Sequence, residues 1–136
     1  KGMSPLTWQI LENKDNVFFS LIEATNFFDA GNIYLQKKVK VPKNIVFDEI
    51  KRLQFSVNLY LIKKFLSKLK KNKTIKGIKQ KGKSTFYCQR SKKDSLLNIS
   101  KSIKSQFNLL RVSDPENYPA FFKYKNRTYL VKIFPK

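Results

Sequence analysis

The sequence predicts a mixed α/β fold, and three patterns predict it. Two neighbouring stretches, Phe18–Ile22 and Ile33–Val41, have the composition and spacing of strands and flank the short turn Asp29-Ala30-Gly31. Apolar residues between Phe47 and Lys70 recur at steps of three and four, the period of a long helix. The last part of the chain, Phe121–Phe134, is an aromatic hairpin pattern.

Taken in order, the chain opens with a helix signal. Ser4 is a capping residue type and Pro5 suits the first helical position. Leu6, Ile10 and Leu11 then form an apolar stripe at helical spacing, with Trp8 beside it. Asn13-Lys14-Asp15-Asn16 is polar and turn-rich, so the helix should fade there. Phe18, Phe19, Leu21 and Ile22 make a nearly continuous apolar run, expected for a strand buried on both faces. Ile33 to Val41 alternates instead. Ile33, Leu35, Lys37, Val39 and Val41 share one side, with Tyr34, Gln36, Lys38 and Lys40 on the other.

Pro42 breaks this strand. The long helix follows, with Ile50, Leu53, Val57, Leu61 and Phe65 on its apolar stripe, joined by Leu66 and Leu69. Asp48 and Glu49 lie in its first turn and Lys63, Lys64, Lys68 and Lys70 towards its end, the arrangement its dipole favours. Such a basic amphipathic helix either covers a sheet or lies on a membrane, and the first is expected.

Lys68–Lys83, with Gly77 and Gly82, is a Lys-rich linker, either a solvated connection or a phosphate-attracting strip, and the first is expected. Ser84–Cys88 reads as a short strand. Ser100 is placed to cap a further helix that buries Ile103, Phe107 and Leu110 and stops before Pro115. The closing hairpin runs from Phe121–Tyr124 to Thr128–Phe134 across Lys125-Asn126-Arg127. A lone hairpin is marginal in water, so this one must pack on its own domain or on a second copy.

The totals narrow the function classes. The formal net charge is +20, which raises nucleic acid or an anionic surface as a partner. The charge is Lys-dominated, however. Only Arg52, Arg90, Arg111 and Arg127 carry the guanidinium that grips phosphate or bases bidentately. The single Cys88 excludes an internal disulfide and leaves zinc without a ligand set. It is expected to pack in a strand, since a Cys nucleophile usually needs a His partner and the chain has none. No apolar run is long enough to span a bilayer, and the opening residues lack a signal-peptide pattern, so no membrane partner and a cytoplasmic location are expected.

Asp29-Ala30-Gly31 is either a catalytic carboxylate before a close backbone approach or an ordinary turn, because Asp and Gly favour turns in their own right. The surrounding motifs bear on that choice. Gly2-Met3-Ser4-Pro5-Leu6, Trp8-Gln9-Ile10-Leu11, the run ending in Ser20-Leu21-Ile22, and Asp29-Ala30-Gly31 occur in this order. Together they resemble the central segment of the formyltransferases that use N10-formyltetrahydrofolate, and the likeness continues more weakly from Phe86 to Phe134. That family includes methionyl-tRNA, glycinamide ribonucleotide and sugar N-formyltransferases.

The resemblance implies the C-terminal part of a Rossmann-like formyltransferase domain (helix, two strands, long helix), followed by a helix and a small C-terminal β-hairpin. Residues 1–72 would be the partial catalytic domain, 73–94 a linker and short strand, and 95–136 the terminal helix and hairpin. The family works with Asn, His and Asp. The Asp falls on Asp29, while Asn and His lie upstream of the Gly-Met-Ser-Pro segment in which this chain begins. The chain is therefore expected to be an incomplete part of the enzyme, inactive alone.

Formyl transfer to an amine must stabilise a tetrahedral oxyanion and remove a proton from nitrogen. A carboxylate that orients and charges an imidazole serves both ends, the role implied for Asp29. Ala30 and Gly31 would approach the folate donor, with Thr25 and Asn26 on the same loop. Tyr118 and Phe122 would edge the acceptor pocket, where an aromatic ring stacks on a base or sugar, unless they are core residues. No metal is implied.

Gln89–Asp94 and Asn98-Ile99 depart from the family pattern, so no substrate contact is carried onto that loop. The ending from Arg111-Val112-Ser113-Asp114 to Tyr118-Pro119-Ala120-Phe121-Phe122 looks like that of the sugar enzymes. Methionyl-tRNA formyltransferases continue into a full barrel. A nucleotide-linked amino sugar is thus the expected acceptor and tRNA the alternative, with a homodimer through the terminal hairpin. From another class, a non-catalytic basic module binding RNA or protein also fits a chain without His.

Overall fold

The computed structural model describes residues 2–72, 74–82 and 85–136. Lys1, Lys73, Lys83 and Ser84 lie outside the described residues, and with them the first residue of the expected strand Ser84–Cys88. In chain order the protein forms α1 (Pro5–Leu11), β1 (Asn16–Ile22), β2 (Ile33–Lys40) and α2 (Phe47–Asn72). A single 3₁₀ turn (Lys92–Ser95), α3 (Ile103–Val112), β3 (Ala120–Tyr124) and β4 (Arg127–Val131) follow. The α/β class expected from the sequence is the one observed.

Among the described residues the strands make two separate antiparallel ribbons, β1 with β2 and β3 with β4. β1 and β2 pair from Asn16↔Lys40 to Leu21↔Leu35, with a register shift at Ile22. α2 packs on both of these strands, and α3 packs on α1 and α2. Leu6, Ile10, Val17, Val41, Ile50 and Val112 form one buried cluster. Val112 belongs to α3, so the first half of the chain shares its core with a helix from beyond residue 95.

α2 follows the sequence closely. Ile50, Val57 and Leu61 are buried, Leu53, Phe65 and Leu69 half-buried, and Asp48 and Glu49 lie in the first turn. Leu66 is the exception, turned to solvent. It lines an open hollow with Leu21, Ile22, Tyr34 and Phe65 that no side chain among the described residues fills. No helix among the described residues is long and apolar enough to cross a membrane.

Several expectations are corrected. β1 is not buried on both faces. Val17 is 2% exposed but Phe18 57%, because only one side of this ribbon meets the core. Ser4 stands at the N-cap of α1 but makes no side-chain cap; its own φ of +48° turns the chain into the helix. Ser102, not Ser100, caps α3, accepting the Ser105 N–H at 3.2 Å, which leaves Ile103 exposed. The expected strand at Thr85–Cys88 is a single bridge between Tyr87 and Gly2, and Cys88 is exposed.

The closing hairpin turns on Lys125-Asn126 alone, with Arg127 paired to Tyr124. Both turn residues have positive φ, +44° and +62°. That is the two-residue turn whose twist suits a hairpin, so Arg127 joins the strand.

Arg111 is a feature the sequence did not announce. It is 4% exposed, yet donates Nε–H to Asn108 Oδ1 at 2.8 Å and Nη1–H to the Pro42 carbonyl at 2.8 Å. Burial pushes its pKa down, opposed by the charge of Asp15. Asn108 in turn donates to the Ile10 carbonyl at 2.9 Å and to Asn13 Oδ1 at 2.7 Å. Asn13 has φ +59°, the left-handed position that ends α1. One guanidinium and one amide thereby tie α3 to the end of α1 and to the turn after β2.

Candidate active site

β1 and β2 are joined by a long loop closed at its base. Glu23 N–H donates to the Asn32 carbonyl at 2.9 Å, and Asn32 Nδ2–H to Glu23 Oε2 at 2.9 Å. Gly31 is buried against this base. A Cβ there would come within 2.0 Å of the Glu23 carbonyl oxygen, so only glycine fits.

Asp29 stands on the exposed side of the loop with φ +52°, a conformation Asp tolerates better than most residues. Its Oδ2 accepts the Gly2 backbone N–H at 3.1 Å. Gln80 Nε2–H donates to the carbonyl oxygens of Asp29 and Gly31, at 2.8 and 2.7 Å.

Asp29 opens on a cleft of about 460 Å³ between the start of α1, one side of β1 and the first half of α2. Gln9, Gln36, Gln54, Asn58 and Gln80 contribute carboxamides to its lining. Phe18 and Ile22 give it apolar surface, and Lys81 the one cation among its lining residues. Gln36 Nε2–H donates to Ser20 Oγ at 2.9 Å across the ribbon. The size lies in the range of small-molecule sites, and a row of amides around a carboxylate offers paired donors and acceptors to a polar heterocycle.

Of the other residues singled out by sequence, Thr25, Asn26 and Ala30 are exposed on the loop. The Thr25 hydroxyl donates to the Phe27 carbonyl at 2.9 Å, which makes it a turn residue in this conformation. None of these three is among the residues lining the cleft.

Tyr118 is half exposed and lines a different hollow of about 270 Å³ with Lys92, Asn117, Pro119, Phe121, Thr128 and Leu130. Phe122 does not share it. Successive strand residues point to opposite faces, and Phe122 stacks on Tyr129 with ring centres 5.1 Å apart. Tyr118 and Phe122 therefore do not edge one pocket.

The amide lining was missed by sequence reasoning. Gln54 and Asn58 share a face of α2 at a four-residue spacing, and that spacing was the available signal. The stretch after α2 was missed as well. It is no loose linker. Ile78 bonds Ile33 in both directions at 2.8 and 2.9 Å, and the Tyr87 carbonyl accepts the Met3 N–H at 3.0 Å. Trp8 stacks on Tyr87 with ring centres 6.4 Å apart, and its indole N–H donates to the Cys88 carbonyl at 2.9 Å. Arg90 is half-buried, donating Nη2–H to the Asp94 carbonyl at 2.9 Å, while its Nε is buried without a partner among the described residues. The Ser91 backbone N–H, at 2.6 Å, holds the Asp94 carboxyl below the usual carboxylate range.

No family model matches the chain. Among curated proteins it is similar to the bifunctional polymyxin resistance protein ArnA of Wigglesworthia glossinidia brevipalpis, 24% identical over 124 residues, covering 91% of this chain and 19% of that protein. It is also similar to the methionyl-tRNA formyltransferase of Thermotoga maritima, 26% identical over 115 residues, 84% of this chain and 36% of that protein. The chain thus spans between 19% and 42% of the lengths of the curated relatives it matches.

Among solved structures, the methionyl-tRNA formyltransferase from Clostridium thermocellum has a TM-score of 0.76 at 22% identity, over 94% of this chain and 54% of that one. A sugar N-formyltransferase from Shewanella has 0.76 at 18% identity, over 100% and 56%. HypX from Aquifex aeolicus, in complex with tetrahydrofolic acid, has 0.82 at 16% identity, over 98% and 23%. The resemblance to formyltransferases seen in the motifs around Asp29 therefore extends to the fold.

Proposed function

We propose that this chain is part of an enzyme that moves a formyl group from N10-formyltetrahydrofolate to the amine of a nucleotide-linked amino sugar. The observation that carries the reading is Asp29. It stands at the mouth of an amide-lined cleft, in a fold shared with sugar and methionyl-tRNA formyltransferases. In this reading residues 1–72 are the C-terminal part of a Rossmann-like catalytic domain, 73–94 connect it, and 95–136 add the terminal helix and hairpin.

The residues present suit a folate. Gln9, Gln54 and Asn58 can meet the donors and acceptors of a pterin, and Phe18, 57% exposed beside them, offers a ring face. HypX supports this choice, because it shares the fold and was solved with tetrahydrofolic acid. The folate would supply the activated formyl group. Thr25, Asn26, Ala30 and Gly31 belong to the loop that presents Asp29 to the cleft and do not themselves line it.

Asp29 orients and charges a neighbouring base, which takes the proton that the attacking amine loses as its bond to the formyl carbon forms and returns a proton to N10 as the formyl C–N10 bond breaks. The resemblance assigns that base to a His and the oxyanion contact to an Asn. No His occurs in these 136 residues, so in this reading the base comes from outside them, and the resemblance places the Asn upstream of Gly2 as well. Tyr118 is the aromatic on the acceptor side, with Phe122 behind it on the other face of the hairpin. The protein acts in the cytoplasm and pairs through that hairpin as a homodimer.

A second reading keeps the chemistry and changes the acceptor to methionyl-tRNA. The relatives at 26% identity and the net charge of +20 favour it.

The test assays the complete protein with N10-formyltetrahydrofolate against nucleotide-linked amino sugars and methionyl-tRNA. The sugars should be formylated faster, and the reverse ranking selects the second reading. Asp29→Asn should keep the fold and lower turnover by roughly two orders of magnitude or more. Near-normal turnover would remove Asp29 from the chemistry.

A further inference from the structure

The loop that carries Asp29 has hydrogen bonds of its own on either side of that residue, between Thr25 and Phe27 and, at its base, between Glu23 and Asn32. Asp29 itself is in the left-handed region and Ala30 is exposed. The carbonyls of Asp29 and Gly31 are held from 51 and 49 residues further along the chain, where Gln80 gives both hydrogens of Nε2 to them, one to each.

The flanks of Gln80 fix it in turn. Ile78 is bonded both ways to Ile33, at the end of the same loop. Gly77 is so close to Asn32 that a Cβ there would lie 2.6 Å from the Asn32 Cβ. Beyond Gln80, Tyr87 pairs with Gly2, and Gly2 gives its N–H to Asp29 Oδ2. Gln80 therefore fixes Asp29 by its backbone, and Tyr87, through Gly2, by its carboxylate.

A primary amide is suited to this work, because a single nitrogen carries two donors. A carboxylate of the same length would set oxygen against oxygen, and a Leu would leave two carbonyls unanswered. We propose that Gln80 is a positioning residue for Asp29: the two hydrogen bonds from its amide set the direction in which the Asp29 carboxylate faces the cleft. The catalytic half of the inference rests on the formyl-transfer reading, and the clamping half does not.

Gln80→Leu and Gln80→Glu in the complete protein test both halves. The loop itself supplies a reporter, since Phe27 and Phe28 are 77% and 98% exposed and are preferred sites of chymotrypsin. Cleavage at Phe27 and Phe28 should become about tenfold faster in both variants. The melting temperature should move by no more than about 3 °C. Unchanged cleavage overturns the clamp.

In formyl transfer both variants should lower kcat about tenfold with KM for donor and acceptor within about twofold, and Gln80→Leu should cost nothing more in the Asp29→Asn background. A full additional loss in that background overturns the positioning role. If the wild-type protein transfers no formyl group, the formyl-transfer reading falls; the cleavage rates then decide the clamp alone, faster cleavage sustaining it and unchanged cleavage removing it.

Discussion

The two β-ribbons solve the same problem in opposite ways. β3–β4 has a tight turn made by two neighbouring residues, Lys125 and Asn126, and pairs cleanly from Ala120↔Val131 to Tyr124↔Arg127. Its burial is slight: Ala120 is fully buried, while Arg127 to Leu130 are exposed. It is tied to the rest by the Leu97 N–H, which donates to the Phe121 carbonyl at 2.6 Å, and by the burial of Ala120. β1–β2 has a long loop that turns at Phe28-Asp29, and helices cover one of its faces, with Val17 in the core. The ribbon that is locally complete is poorly covered. The ribbon that carries the site is locally incomplete and is finished by Gln80, Ile78 and Gly2. A loop held from a distance can present a carboxylate in a direction no two-residue turn would allow.

Three changes probe this contrast. The largest effect is expected from Ile10→Ala, beneath β1, where Ile10 is 1% exposed. It should cost about 3 kcal/mol in chemical denaturation, from lost burial plus the cavity. Because a lone ribbon is marginal, β3–β4 should melt in the same transition. A hairpin that stays folded after the core has melted would break the comparison.

Arg111→Met should cost about 1–3 kcal/mol, because it leaves the Pro42 carbonyl and Asn108 Oδ1 buried without their donor. Hydrogen exchange should show the loss first at the end of α1 and the turn after β2. A loss confined to β3–β4 would mean that the brace is misassigned.

The smallest change is a gain. Lys125→Asn with Asn126→Gly installs the residues a turn with two positive φ values prefers, and should stabilise the hairpin by about 1 kcal/mol. Amide exchange should slow in β3–β4 and stay constant in β1–β2.

Local pattern was readable wherever one element met one partner. α2 has a stripe with a helical period and lies on one ribbon, so Ile50, Val57 and Leu61 are buried as their spacing predicts. β2 alternates as written, with Leu35, Lys37 and Val39 less exposed than Gln36, Lys38 and Lys40. Phe18 and Ile103 misled for a common reason. Hydrophobicity says that a residue can be buried, not that anything stands opposite to bury it. The caps misled differently. Ser100 and Ser102 are equivalent as residue types, and only the hydrogen bond from Ser105 to Ser102 selects between them.

The sequence by itself determined the α/β class, the long helix, the two hairpin regions and the position of Asp29, because each rests on periodicity or on a contiguous motif. Only the tertiary structure decided what surrounds Asp29. The amides of Gln9, Gln54, Asn58 and Gln80 come from α1, α2 and the strip beyond it, and no local rule relates residues so far apart. A stretch whose composition reads as a solvated linker became the strip that holds the candidate site. Its side chains are mostly solvated, but its backbone N–H and C=O groups still require partners, and Ile33 and Met3 provide them.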